Sequence, residues 1–565
     1  MSRMTAALRQ LERVQGEFGG DAAQRKLALL KQLARTRLGS ARSVSGLHEA
    51  LCFLRAYPDD ERVLAEVERQ LAAFDKRADL KRFAVDLQDS GIAGTETYYL
   101  FFAEMASWLV KRFPERVTVA WDDFEEDERL ERFLQLLLTF AEGSALEEWS
   151  FPVRTWCGEL KGPDETDAAF LVRRFDALPV DPFLREWIYQ EMQLPLCLAP
   201  GPETPARGRA KLASAPVHFQ AGPLDRARPQ IERAVREEPA EVRELSLSEG
   251  ERVIDLAREA MLTRSRDLDV FSYGDPRDVR LIDWGDGLAF AAIGATPERR
   301  LLLEAVYGFL TLKNGVPIGY VLNSALFGSA EIAYNVFETF RGSEAGLVYG
   351  RVLATVRHLF GVDSFTIYPY QLGGQGNEEG LKSGAWWFYE KLGFRPKDAD
   401  VLARRKRELA RLKARPKART PISTLRALAE ANVYWYLERE RDDVIGVLPL
   451  SDVGFAVARR MASRFGADRE RGERDCMAEV ASLLGLHSLD GWSRGELVWW
   501  QRWAPLVLCL PGIASWSAAD KLALIEVIRA KGGARESDFV RRFDAHGELR
   551  KALRKLALSA GPEED

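Results

Sequence analysis

RLLLEAVYGFLTLKNGVPIGYVLN, residues 300–323, is the stretch on which the fold turns. Two apolar runs, 301–312 and 316–323, flank Lys313-Asn314-Gly315. Asn-Gly between β-rich runs predicts a hairpin, because both central residues must tolerate positive φ. A third run, 332–340, ends in Arg341-Gly342-Ser343-Glu344-Ala345-Gly346, and there the period changes. Leu347, Val348, Val352, Leu353, Val356, Leu359 and Phe360 recur at helical spacing until Gly361. Residues 364–370 read as another strand. The glycine-rich stretch Gly373-Gly374-Gln375-Gly376-Asn377 follows as a flexible loop, then the aromatic segment WWFYEKLGFRP, residues 386–396.

Upstream, residues 246–262 read as an amphipathic helix with Ser248 and Glu251 as a capping box. Residues 279–284 and 288–293, joined across Gly285-Asp286-Gly287, predict a second hairpin that supplies the first strands of the same sheet. Residues 1–194 show helical periodicity broken by short turns, without strand alternation, which predicts antiparallel helix pairs resembling a solenoid. Residues 195–240 are dense in proline and predict a linker or extended strap. Residues 422–565 are helical again, with tryptophans as core anchors. The fold class is therefore α+β: a central mixed sheet, residues 241–400, flanked by N-terminal and C-terminal all-helical domains.

Between the last two lies a basic connector, residues 401–421. Residues 404–419 hold nine Lys or Arg against the single acid Glu408. Such a run reads first as a solvated helix. It also offers a surface to an acidic partner, such as an acyl carrier protein, while lacking the interleaved aromatics that nucleic acid calls for.

The chain has 565 residues, 46% of them apolar and 29% charged, with a formal net charge of −5. This describes several soluble domains without global attraction to polyanions. Cys52, Cys157, Cys197, Cys476 and Cys509 are scattered and odd in number, which fits a reducing, cytoplasmic setting better than a disulfide framework. The most apolar segment, 497–516, is interrupted by Gln501, Arg502, Pro505 and Pro511, so no membrane span is expected. The five histidines have no ligand spacing, and no metal site is expected.

The order strand, hairpin, strand, glycine-containing turn, helix, strand, aromatic helix, with the ending FYEKLGFRP, resembles the GNAT superfamily of N-acyltransferases. The likeness covers residues 246–398. It implies transfer of an acyl group from acyl-CoA, or from an acyl carrier protein, to a small-molecule or protein amine by direct attack. A helix start offers unpaired N–H groups to a phosphate. The resemblance implies that Arg341, Gly342, Ser343, Glu344, Ala345 and Gly346 hold the pyrophosphate of coenzyme A. Arg341 and Gly346 match the first and last motif positions, whereas Glu344 stands where the family has its middle glycine. A carboxylate there opposes a pyrophosphate.

The family's pattern further implies that Val336 and Phe337 pair through their backbones with the pantetheine arm. Glu338 is the expected general base, with Glu304 as second choice. Tyr389 matches the tyrosine that protonates the leaving thiolate, and Asn377 is the candidate for a cofactor-binding asparagine. The competing expectation is a degenerate GNAT-like domain within a helical scaffolding or regulatory protein, in which Glu344 has replaced phosphate binding.

Overall fold

A computed structural model describes residues 3–213 and 215–561. The helices Arg3–Val14, Ala22–Ala34, Ala41–Ala56 and Glu61–Ala72 pack on one another. Ser40 Oγ accepts the Ser43 N–H at 3.3 Å and Asp60 Oδ1 the Val63 N–H at 2.9 Å, pairing amides that a helix start leaves open. This group is not an independent domain. Phe53 and Tyr57 share one core with Leu312, Tyr320, Phe337 and Phe340 of the central segment.

Residues 97–198 stand apart around their own core, which includes Trp108, Phe170, Phe175 and Tyr189. Three short strands, β1 (Thr97–Tyr99), β2 (Val117–Val119) and β3 (Leu196–Leu198), pair antiparallel in the order β1-β3-β2. The expected all-helical domain of residues 1–194 thus divides in two and contains strand. Three-residue strands show at most one alternation, too little for a readable period.

Asp267 fastens this unit to the rest. Buried, it accepts the Phe102 N–H at 2.8 Å and the Ser272 hydroxyl. Burial, aided by the charge of Glu186, pushes its carboxyl up to about 6. Because the folded value lies above the unfolded value of about 3.9, the folded state holds the proton more tightly. Its contribution to stability is present below about pH 4 and is lost as pH rises to about 6, by roughly 2 kcal/mol. In urea titrations Asp267→Asn should remove this decline. An unchanged pH profile in the variant would refute the assignment.

The proline-rich strap is clamped rather than free. The Leu212 N–H donates to Gly315 O, and the Gln220 N–H to Pro58 O, both at 2.8 Å. Asn314 (φ 51°) and Gly315 (φ 75°) form the expected hairpin tip. The Asn314 side chain is also buried, accepting the His218 N–H at 2.7 Å and donating to Ala56 O at 2.8 Å. One residue therefore turns the hairpin and joins it to both strap and N-terminal helices.

The central sheet has nine strands. They are β4 (Glu241–Glu244), β5 (Gly274–Asp283), β6 (Leu288–Ala295), β7 (Ala305–Lys313), β8 (Val316–Leu326), β9 (Ser329–Val336), β10 (Ser364–Ile367), β11 (Arg395–Pro396) and β12 (Val433–Tyr436). Their order is β11-β12-β10-β9-β8-β7-β6-β5-β4. Every neighbouring pair is antiparallel except β9 with β10, whose crossover is the helix Ala345–Phe360. The strand β12 corrects the reading of residues 422–565 as purely helical, since the chain crosses the basic segment and returns to the sheet. The helix Leu247–Leu262 is capped by Ser246 with Glu249, two residues earlier than expected.

The C-terminal helices pack on the sheet face that carries Tyr307, Phe309 and Ile332, in a core that includes Trp499, Trp500 and Trp503. Trp499 Nε1 donates to Pro297 O at 2.8 Å and Trp503 Nε1 to Leu302 O at 2.9 Å. The Ser537 N–H donates to Tyr307 Oη at 2.9 Å and the Glu536 N–H to Asp278 at 3.0 Å. These bonds seat the helix Glu536–Ala545 on the sheet. Among the described residues no helix is long and apolar enough to cross a membrane.

Candidate functional site

The parallel pair β10 and β9, third and fourth from one edge of the sheet, opens as it runs. The ladder between β9 and β10 covers only Ser329–Glu331 opposite Ser364–Thr366, while β9 continues to Val336 with no strand on that side. The Phe337 N–H is committed to Ile318 O at 3.0 Å on the β8 side. By strand alternation Val336 and Tyr334 turn their backbone groups toward the opening. Of the two expected backbone partners, Val336 therefore faces the gap and Phe337 does not. Tyr334 takes the second place.

The turn from Arg341 to Gly346 leads into the sixteen-residue helix Ala345–Phe360 as expected. Ser343 and Glu344 are buried, and Glu344 lies 3.1 Å from the buried ammonium of Lys313 on β7. Tyr57 lies against Lys313 and donates to Ser343 Oγ at 3.3 Å. The carboxylate that would oppose a phosphate is thus matched by a cation reached across 31 positions of sequence. Arg341 bonds Val336 O at 3.3 Å and pairs with Glu379, bridging the end of β9 to the helix Glu378–Ser383.

Two cavities adjoin the helix start. One, of about 10 Å³, is lined by Thr311, Tyr334, Asn335, Val336, Ser343 and Ala345, among others. Thr311 Oγ1 and Asn335 Oδ1 are both buried without a hydrogen-bond partner. The other measures about 1270 Å³ and has Gly346 on its wall. The strap forms its rim: a Cβ on Gly346 would come within 3.0 Å of Pro229 and 3.1 Å of Ala227 O.

Five cations line this larger cavity, Arg226, Arg228, Lys382, Lys391 and Arg419, and among the described residues none has a carboxylate partner. Its one acid, Glu390, is held by Arg405 at 2.7 Å and Arg395 at 3.1 Å. A helix N-terminus opening on unpaired cations attracts phosphate. A third cavity, of about 910 Å³, lies beside Gly361, but several of its charges are compensated within it, Arg441 pairing with Asp363 and Asp443 and Arg550 with Asp443. It offers an anion less.

Other expected residues fall elsewhere. Glu338 lies beyond the strand on a short 3₁₀ turn, Glu338–Phe340, and is exposed. Asn377 caps the helix Glu378–Ser383, accepting the Gly380 N–H at 2.9 Å and donating to Tyr370 O at 2.8 Å, so its amide is spent on the turn. The glycine-rich stretch is packed rather than flexible: a Cβ on Gly374 would meet Ala429 O at 2.4 Å. Tyr389 is 3% exposed, its ring against Tyr349, Phe388 and Phe394, and burial raises its phenol above the ordinary value. Tyr334, partly exposed over its ring, donates its hydroxyl to Ala345 O at 3.4 Å at the helix start, and burial raises its phenol well above the ordinary value too.

Sequence reasoning missed Glu331. It is the last β9 residue paired with β10, so it stands at the vertex of the opening. Its neighbour Ile332 enters the core beneath the helix, so alternation turns Glu331 to the opposite face. There Val306, Leu322, Ser324 and Ala333 remain only part-buried. Burial raises the Glu331 carboxyl, the charge of Glu304 adds to the shift, and Ser324 Oγ donates to it at 3.3 Å. The vertex depends on where pairing with a distant strand ends, which no local pattern encodes.

Among the described residues no group of three or more His, Cys, Asp or Glu is placed to hold a metal. The chain matches no protein-family model, no curated protein sequence and no solved structure.

Proposed function

We propose that this protein is an N-acyltransferase of GNAT type that binds a phosphorylated thioester donor, acyl-CoA or an acyl carrier protein, at the start of the helix Ala345–Phe360. The observation that carries this reading is the divergence of β9 from β10 at a helix start bordered by five unpaired cations. The diphosphate lies toward Gly346 and the cationic cavity. The pantetheine arm pairs with Tyr334 and Val336 as an added strand. The orphaned Thr311 and Asn335 oxygens mark where polar groups of the arm find partners. The Arg341–Glu379 bridge across the end of β9 opens to admit it.

On the other face an amine acceptor approaches Glu331. Its carboxylate takes the ammonium proton, and the nitrogen then attacks the thioester carbonyl. Glu331 displaces Glu338 in this role because it borders the opening and its raised pKa suits proton abstraction. Tyr334 is the more exposed phenol at the opening and serves the departing sulfur before Tyr389 does.

The buried Tyr389 and the Lys313–Glu344 pair favour a second reading, a catalytically silent domain that has kept the fold and sealed its cleft.

Calorimetry with acetyl-CoA and octanoyl-CoA separates the two. Micromolar binding is expected, weakened on the order of 100-fold by Arg228→Gln/Lys382→Gln/Lys391→Gln, at somewhat under 1 kcal/mol per solvent-exposed charged contact. No heat with either thioester, or equal affinity in wild type and triple variant, would sink the first reading.

A further inference from the structure

The helix Ala399–Ala414 has two charged faces with different fates. Arg405 turns inward onto Glu390 at 2.7 Å, Arg411 is partly exposed and held by Glu408 of its own helix at 2.6 Å, and Leu409 and Leu412 line the cationic cavity. Arg404, Lys406, Arg407 and Lys413 of this helix, with Arg415 and Lys417 just beyond it, are exposed and among the described residues have no carboxylate partner. In a chain of net charge −5, this is a concentrated positive surface on the outer wall of the cavity. A sixteen-residue helix is about 24 Å long.

A free nucleotide thioester has no need of such a surface, since the cavity's own five cations are enough to meet its phosphates. The outer cations call for a larger acidic partner. Nucleic acid is disfavoured, because the large apolar side chains exposed beside these cations are Leu402 and Ile422, which give bases nothing to stack on. Those two aliphatic residues, set among cations, suit the face of an acidic helical protein.

We infer that the acyl donor is presented by an acidic carrier protein, which docks on the outer face of the helix Ala399–Ala414 and passes its phosphopantetheine arm into the cavity at Gly346. This rests on the acyltransfer reading above and selects between its two donors. In the step itself the amine nitrogen forms a bond to the thioester carbon while the carbon–sulfur bond breaks. The ammonium proton passes to Glu331, and the thiolate, leaving on the carrier's arm, takes up a proton to end as thiol. No oxidant or reductant is needed.

The test uses the full chain and two probes bearing the same acyl group: an acidic acyl carrier protein charged with octanoyl on its phosphopantetheine, and octanoyl-CoA. Affinities are measured at low and physiological salt for wild type and for Arg404→Glu/Lys406→Glu/Arg407→Glu, whose side chains are exposed and unpaired. The carrier is expected to bind more tightly than octanoyl-CoA, with a steep salt dependence, and the triple reversal to weaken the carrier about 30-fold while leaving octanoyl-CoA unchanged. If octanoyl-CoA binds and the carrier does not, or the reversal changes neither, the carrier proposal falls while donor binding stands. If neither binds, the acyltransfer reading falls first. Tight binding of a short duplex DNA, abolished by the same reversal, would assign the surface to nucleic acid and overturn the proposal. Equal binding of the carrier without its arm would also overturn it.

Discussion

Glu331→Gln is expected to slow acyl transfer by about 10²- to 10⁴-fold while changing donor affinity less than about twofold. The carboxylate faces the side of the sheet away from the crossover helix, so the proposed donor arm between β9 and β10 would not depend on it. Glutamine keeps the size and can still accept from Ser324 Oγ, which stands 3.3 Å from the native carboxylate. It cannot take a proton. In the wild type, kcat/KM should rise with pH through an apparent pKa above that of an ordinary glutamate, because burial and the Glu304 charge disfavour ionisation. The variant should lose that limb. Glu338→Gln, at the exposed position that sequence logic favours, should leave both rate and profile unchanged. A full rate in Glu331→Gln, or a collapse in Glu338→Gln, would return the base to the turn.

Lys531→Met should lower the unfolding free energy by about 3–5 kcal/mol. Lys531 and Glu536 are both fully buried, with Nζ 2.5 Å from the carboxylate, and Lys531 also donates to Glu304 O at 3.0 Å. Removing the ammonium leaves Glu536 without its direct partner, the next cation being Arg300 at 4.0 Å. Glu536 begins the helix that seats on Tyr307 and Asp278, so the loss falls where the C-terminal helices meet the sheet. Lys531→Met/Glu536→Gln should recover more than half of it, because a neutral pair has no buried charge to compensate. Urea unfolding followed by tryptophan emission is suited to the measurement, since Lys531 lies 5.2 Å from the Trp499 ring. A single-variant loss under about 1 kcal/mol would show that Arg300 alone neutralises Glu536.

The central segment was legible where its chemistry is local. Asn314-Gly315 can turn a hairpin whatever surrounds it, because the requirement is a φ value. The period change after Gly346 and the stop at Gly361 mark the helix Ala345–Phe360, because 3.6-residue spacing is a property of the helix itself. The mixed sheet and the parallel crossover follow from that order of parts. The same logic placed the 332–340 run too late and too long. β9 begins at Ser329 and stops at Val336, since strand ends are set by where partners stop.

What the sequence by itself determined is thus the succession of elements around residues 300–396 and the turn that opens the helix Ala345–Phe360, both products of neighbouring residues. The tertiary structure alone decided the rest. It brought Lys313 to Glu344, made Asn314 a joint between strap and helices, returned β12 to the sheet from beyond the basic helix, and put Glu331 rather than Glu338 at the opening. Each of these depends on a contact between distant residues, whose pairing is set by burial and hydrogen bonding in the folded chain.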